Sequence, residues 1–375
     1  MSRIYLITAL HTSVHAAFLG SKVVLSLLAL KLGADASMVG LLIACYAVPP
    51  LLLAVRVGRL ADRIGMRMPM VAGAAFVAAA MLTGWLWGAL PALFVVATLV
   101  GIGFALYMVS SQNLVGGLEG DRTRNYSILT IGYSISNILG PMVAGFAIEY
   151  AGHLATLLLF AFFPLPAIAI LFLNRALTRV NLQPAAPETS RRTADLLGNK
   201  PLMRTILISG LQMAAWELYV FFVPIYGHSI GISPSAIGTI LGSFAVATFV
   251  VRFAIPLLTA HMRVDTLLSM AMLIAAAACV VFPLLQDVGA LLAVSFVIGL
   301  GMGCGHPLSL TLSFERSPAG RSGEASGLRV TATNLARVAV PLLTGLFSAA
   351  LGPAALLWLN ATVLAGTGYL ARRID

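Results

Sequence analysis

Five charged side chains interrupt the long apolar runs of this 375-residue sequence, four of them basic and one acidic. They are Lys22, Glu217, Arg252, Arg329 and Arg337. A charge within an apolar run is costly and marks a candidate site. An arginine fork binds a carboxylate or phosphate through two hydrogen bonds, whereas a carboxylate in such surroundings either holds a proton or pairs with a base. The excess of bases therefore favours an anionic or zwitterionic ligand.

Arg337 and Glu217 each have two interpretations. Arg337 either binds the ligand anion, as an arginine fork does, or forms a structural pair with Glu217. Glu217 either carries a coupling proton or is the counter-ion of Arg337 or Lys22. Arg252 and Arg329 lie near the ends of their apolar runs and are candidate gate residues.

A polar stripe follows the first apolar run. Thr8, His11, His15, Lys22 and Ser26 fall on one face of a helix that turns by about 100° per residue. We expect this face to border the ligand site, where Lys22 and His15 bind the ligand and His15 also carries a proton. The alternative is that Lys22 extends toward water and the histidines bond neighbouring helices.

Further polar side chains are candidates for shaping a ligand pocket. In "GLQMAAWELYVFFVPIYG" the side chains of Gln212, Trp216 and Tyr219 share one face. Aromatic residues at this spacing either line a pocket or pack against neighbours. Asn137 aligns with Arg337 in an internal repeat and completes the predicted set of ligand-binding residues.

The elements that carry these residues must be membrane-spanning helices. The sequence is 59% hydrophobic and only 10% charged, and its mean hydropathy is +0.97, far from the usage of soluble domains. Backbone polar groups in a bilayer must be satisfied internally, so only helices and closed barrels cross it. The apolar runs exceed the roughly ten residues of a barrel strand, which leaves helices.

Charges, prolines and polar turns divide the chain into twelve helices, so the predicted fold is an all-α membrane protein. The predicted spans are 4–31, 37–57, 69–88, 91–115, 125–150, 153–174, 202–229, 234–257, 264–284, 288–314, 324–350 and 353–371. The longest polar stretch follows the sixth span. It predicts an N-terminal six-helix half (1–174), a cytoplasmic linker (175–200) and a C-terminal six-helix half (201–375).

The basic residues outside the spans indicate the orientation in the membrane. With a cytoplasmic N-terminus, eighteen of the 23 lysines and arginines face the cytoplasm and Lys31 alone faces outward, as the positive-inside rule requires. We therefore expect an inner-membrane protein with both termini cytoplasmic. Topology accounts for the net charge of +10, so no nucleic-acid partner is inferred, and membrane lipids are the expected surface partners.

The two halves repeat one another. The matched segments are "DASMVGLLIACYA" (35–47) with "SPSAIGTILGSFA" (233–245), "GIGFA" (101–105) with "GMGCG" (301–305), and "GPMVAG" (140–145) with "VPLLTG" (340–345). Pro141 thereby aligns with Pro341, and Gly145 with Gly345. We expect these residues and Gly140 at close helix contacts. Repeated halves of this kind are typical of transporters with a central ligand site.

Charge is concentrated in "GRLADRIGMRM", between the second and third spans. Gly58, Asp62, Arg63, Gly65 and Arg67 give a glycine, an Asp-Arg pair, a second glycine and a basic residue. This pattern resembles the signature of the major facilitator superfamily, and the resemblance extends over all twelve spans. It implies that Gly58 allows close helix approach and that Asp62 and the arginines form a cytoplasmic gate with the start of the eleventh span, stabilising the outward-facing state.

The same resemblance bears on direction and coupling. "GPMVAG" is similar to the family's antiporter signature, with Ala144 in place of a glycine, which favours export. Proton-coupled exporters of the family carry an arginine about four residues before a glycine in the fourth span, where this sequence has Ala97 before Gly101. The second half has Ala260 near the position equivalent to Asp62, so the implied gate is asymmetric.

Together these features predict a monomeric secondary transporter that moves a small organic solute by alternating access, with H+ as the coupling ion. No enzyme activity, cofactor or metal is expected, because the sequence has neither an ATP-binding loop nor a cluster of catalytic or ligating residues. His306 is interpreted as a bonded core histidine. Two alternatives stay open, a multidrug exporter of lipophilic cations that would use Glu217, and a polytopic membrane enzyme or lipid-processing protein.

Overall fold

The computed structural model describes residues 3–119, 122–178, 196, 198–318 and 322–372. These residues form eleven α-helices and two short 3-10 turns, Arg175–Thr178 and Phe282–Leu284. The helices are α1 (Arg3–Lys31), α2 (Ala36–Ile64), α3 (Arg67–Leu86), α4 (Leu90–Gly116), α5 (Arg122–Phe162), α6 (Leu165–Leu173), α7 (Lys200–Ser229), α8 (Pro234–His261), α9 (Val264–Val281), α10 (Val288–Glu315) and α11 (Ser322–Arg372). The predicted linker lies largely outside the described residues.

Two of the helices contain a turn at a glycine, and these turns reconcile eleven helices with twelve membrane passes. Gly152 in α5 has φ 82° and Gly352 in α11 has φ 73°, a region that L side chains rarely adopt. The part of α5 after Gly152 continues into α6 as one pass. Among the described residues, ten stretches are long and apolar enough to cross a membrane; Ile128–Leu173 covers two passes, and the part of α11 before Gly352 supplies the twelfth. The predicted all-α twelve-helix fold is confirmed.

The charged segment between the second and third spans is not the loop that the sequence suggested. Helix α2 continues to Ile64 and turns at Gly65, whose φ of 85° requires glycine. The side chain of Asp62 lies outside the described residues, and Arg63 is exposed. A Cβ at Gly58 would meet no described atom within 4 Å, so the close helix approach implied there is not seen in this structure.

Arg67 caps the C-terminal end of α6 through hydrogen bonds to its last carbonyl groups. Its Nε donates to the Leu171 carbonyl at 2.7 Å, its Nη2 donates to the Phe172 carbonyl, and the guanidinium lies 5.5 Å from the Phe172 ring centroid. The last carbonyls of a helix have no partner within the helix, so a cation there satisfies them and complements the helix dipole. The contact with α6 gives Arg67 a structural role besides the predicted gate.

The chain divides into two compact units. The first comprises the described part of 1–184 together with 232–242, and the second the described part of 185–231 and 243–375. The predicted halves differ from these units in the segment 232–242, which forms the first turns of α8. That segment packs on α5, where a Cβ at Gly145 would lie 3.0 Å from the Gly238 Cα, and the Ser235 amide donates to Glu149 Oε2 at 3.1 Å.

Glycine contacts within each unit reproduce the internal repeat. In the first unit, a Cβ at Gly101 would lie 2.7 Å from the Tyr46 carbonyl oxygen. In the second, a Cβ at Gly299 would similarly crowd the Phe244 carbonyl. The structural counterpart of Gly101 is therefore Gly299, two residues before the Gly301 of the sequence alignment. Small residues at both positions let helix backbones approach closely.

Candidate functional site

The second unit contains an ion pair within its helices. Glu217 on α7 and Arg337 on α11 approach with 3.6 Å between Oε1 and Nε, and their side chains are 13% and 45% exposed. Desolvation and attraction nearly offset each other in such a pair, so a competing anion can replace the carboxylate. The structure thus brings together the two residues that the sequence singled out. The carboxylate of Glu217 and the guanidinium of Arg337 are therefore close enough to interact.

Two further arginines and a histidine belong to the same unit. The charges of Arg252 on α8, Arg329 and Arg337 act on the imidazole of His306 on α10. Arg329 is only 6% exposed, and its Nε makes no hydrogen bond with the described residues. His306 has exposed surface, yet burial is the largest influence on its imidazole, so its interpretation as a bonded core residue stays a prediction. Three positive charges thus act on one imidazole, and Glu217 offsets that of Arg337.

The polar and aromatic face of α7 is mostly packed. Gln212 is buried and donates from Nε2 to the Met302 carbonyl at 3.3 Å. Tyr219 is fully buried, with its hydroxyl 2.6 Å from the Ser295 hydroxyl. Trp216 is half-buried and meets the Phe244 ring edge-on at 4.7 Å. Of the three predicted pocket residues on this helix, only Trp216 retains accessible surface.

The polar stripe of α1 packs against α4 and α5 within the first unit. His11 Nδ1 lies 2.9 Å from the Ser111 hydroxyl, and its ring meets Tyr133 edge-on at 4.6 Å. His15 is buried, stacks on Phe104 at 5.5 Å and meets Tyr133 edge-on at 5.1 Å. The stripe does not form the open surface that we expected, because aromatic side chains of α4 and α5 cover both histidines.

Lys22 and Asn137 also belong to the first unit. The Lys22 ammonium lies 5.0 Å from the centroid of the Phe18 ring, a cation–π contact. Asn137 Nδ2 donates to the Tyr133 carbonyl at 2.9 Å, which leaves the amide oxygen as the group able to accept from a ligand. Both side chains are half-buried. They therefore retain surface that a ligand can contact.

A pair of buried tyrosines gives a matched test of this packing. The Tyr107 hydroxyl is buried and has no hydrogen-bond partner among the described residues, whereas that of Tyr219 is bonded to Ser295. An unsatisfied buried polar group costs about 1–3 kcal/mol. We expect Tyr107→Phe to preserve or raise the melting temperature of the detergent-purified protein, and Tyr219→Phe to lower it. Equal shifts in the two variants would show that both hydroxyls are equally satisfied.

Sequence reasoning missed the aromatic cover of the histidines and the electrostatic influence of three arginines on His306. Three helices supply the aromatic rings that contact His15, namely Phe18, Phe104 and Tyr133. Their spacing in the sequence does not predict this contact. His306 carried one usable signal, since it is an ionisable residue within an apolar run that also contains Pro307. Among the described residues, no group of three or more His, Cys, Asp or Glu side chains could hold a metal ion.

Twelve passes in two repeated halves, with an ion pair within one of them, define the class of polytopic membrane transporters. A family model described as Major Facilitator Superfamily matches residues 7–341. The chain belongs to this superfamily. It is therefore a multi-pass integral membrane protein and a transporter of a small-molecule solute rather than an enzyme.

Individual relatives are distant in sequence. Multidrug resistance protein 1 of Bacillus subtilis (strain 168) is 23% identical over 364 residues, which cover 91% of this chain and 89% of that protein. The nucleoside transporter NupG has a TM-score of 0.78 at 11% identity, over 100% of this chain and 99% of its own. The peptide transporter POT in complex with sulfate has a TM-score of 0.79 at 16% identity, over 99% and 94%. These two structures establish the fold alone.

Proposed function

We propose that this protein is a secondary active transporter that moves a small anionic or zwitterionic organic solute across the inner membrane by alternating access, coupled to protons. The pairing of Glu217 with Arg337 carries the proposal. A solute carboxylate competes with Glu217 for the guanidinium of Arg337, and protonation of Glu217 removes the competing charge. Binding of a proton to Glu217 therefore favours binding of the solute to Arg337, and binding of the solute favours binding of the proton.

The remaining residues take supporting roles in this proposal. Lys22, Asn137 and Trp216, which keep accessible surface, contact the solute. Gln212 and Tyr219 support the binding surface from beneath it. His15 is the second candidate for proton transfer, since the ordinary pKa of histidine lies closest to neutrality.

The segment that carries Gly58, Asp62, Arg63, Gly65 and Arg67 acts as a gate in the proposed cycle, and Arg252 and Arg329 face the mouth of the pathway. Gly140, Pro141, Gly145, Pro341 and Gly345 serve helix packing. Both termini are cytoplasmic, the protein works as a monomer surrounded by membrane lipids, and the six-helix halves 1–174 and 201–375 are the moving parts. The positive-inside asymmetry of the basic residues supports this orientation.

A second candidate function is export of lipophilic cations. The similarity to a protein named Multidrug resistance protein 1 favours it, and Glu217 supplies the acid that a cationic substrate needs. Within the described residues, however, that acid is paired with Arg337. An anionic solute would bind Arg337 of this pair, whereas a lipophilic cation would bind Glu217.

Counterflow in reconstituted vesicles separates the two candidates. Vesicles preloaded with unlabelled butyrate or ethidium are diluted into the labelled compound, with and without an inward proton gradient. We expect labelled butyrate to accumulate, faster with the gradient, while ethidium does not. Accumulation of ethidium without any carboxylate would overturn the anion proposal and establish the second candidate.

A further inference from the structure

Arg329 has an unusual environment for a charged side chain. It lies on α11, is 6% exposed, and its buried Nε has no partner among the described residues. No described acid forms an ion pair with it. A buried guanidinium without an anion is costly, and native proteins normally satisfy such groups. The missing partner is therefore supplied by something that the described chain does not contribute.

The electrostatic surroundings specify the charge of that partner. Arg252 and Arg337 act on the same imidazole, that of His306, as Arg329 does. Three guanidinium groups in one region give a positive potential that attracts an anion.

Arg329 and Arg337 also have a fixed relation along α11. They are eight residues apart, which is about 12 Å of helix axis and roughly 80° of rotation. Both therefore lie on one side of the helix, as two separate forks for carboxylate. One acid group on a solute can occupy Arg337 in place of Glu217 while a second occupies Arg329.

We propose that Arg329 is a second anion subsite of the solute site, so that the solute carries two carboxylates. This rests on the proposed function and narrows its substrate class from small anions to dicarboxylates. Arg337 binds one carboxylate and Arg329 the other. Arg252 strengthens the field around the second.

Butyrate and succinate provide a matched pair of probes, because they have equal carbon number and differ by one carboxylate; adipate extends the spacing. Binding is measured by ligand-dependent thermal shift of the full-length protein in detergent. We expect succinate or adipate to bind roughly tenfold more tightly than butyrate. Arg329→Gln should remove this preference, and Arg252→Gln should reduce it.

Arg263→Gln is the control, since Arg263 pairs with Asp265 between α8 and α9 at 3.0 Å, outside the subsite. Arg329→Gln should fold at least as well as the parent without ligand, because it removes an unpaired buried charge. If it fails to fold, Arg252→Gln carries the test. Unchanged dicarboxylate preference in the folded variants, with butyrate still bound, overturns the subsite and spares the proposed function. Failure of every anion to bind the parent overturns both.

Discussion

Arg337→Gln is expected to lower the initial rate of carboxylate counterflow roughly 10- to 100-fold in reconstituted vesicles. A hydrogen bond to a charged group contributes about 1.5–3 kcal/mol, and about 1.4 kcal/mol corresponds to a tenfold change in affinity. The guanidinium is 45% exposed and separated by 3.6 Å from Glu217, so a solute can reach it. Arg337→Lys keeps the charge but loses the fork and should fall between the parent and Arg337→Gln.

Two further variants make this result interpretable. Arg263→Gln removes an arginine from another ion pair, with Asp265, and should leave counterflow unchanged. Glu217→Gln releases Arg337 from its competitor, so carboxylate should bind more tightly while transport loses its dependence on the proton gradient. Arg337→Gln behaving like Arg263→Gln would exclude Arg337 from the solute site.

Gly145→Leu is expected to destabilise the protein by about 1–3 kcal/mol or more, the usual cost of overpacking. A Cβ at Gly145 would lie 3.0 Å from the Gly238 Cα and closer still to the Pro234 carbonyl oxygen. Two backbones face each other there, and neither can rotate aside as a side chain can. The bulky residue must push the first turns of α8 off α5, which should lower the melting temperature and stop transport.

The environment of Gly366 in α11 supplies the control, because a Cβ there would meet no described atom within 4 Å. Gly366→Leu should leave the melting temperature near that of the parent. Gly238→Leu acts on the same contact as Gly145→Leu, so the double variant should cost less than the two single losses combined. Equal melting temperatures for Gly145→Leu and Gly366→Leu would show that α5 and α8 separate freely in solution.

The fold was predictable because the membrane imposes one requirement on every span. Apolar length, with charges, prolines and polar turns as boundaries, predicted the twelve passes, with ends that differ by a few residues from those observed. The largest difference lies at residues 58–64, where charges suggested a loop and the helix continues. Charged residues at the end of a span face water, so they terminate the apolar run without terminating the helix.

The site was predictable only in part. An acid and a base in apolar runs have few possible partners, so the residue types offered Arg337 or Lys22 as the counter-ion of Glu217, and the structure selects Arg337. Contacts between distant helices have no local signature, and the stripe of α1 shows this. Periodicity placed His11 and His15 on one face, but it did not reveal that Phe104 and Tyr133 cover them.

The glycine contacts shared by the two units fix the same crossing of helix backbones in each. Duplication of an ancestral six-helix gene would give both copies the same crossing of backbones, as at Gly101 with Tyr46 and Gly299 with Phe244. The ionisable residues show no such correspondence, since Arg337 aligns with Asn137. Steric exclusion allows almost no substitution of a glycine at a backbone crossing. A charged residue, by contrast, can be replaced at one position at a time. The two units thus share a backbone geometry at these crossings, while their ionisable residues differ.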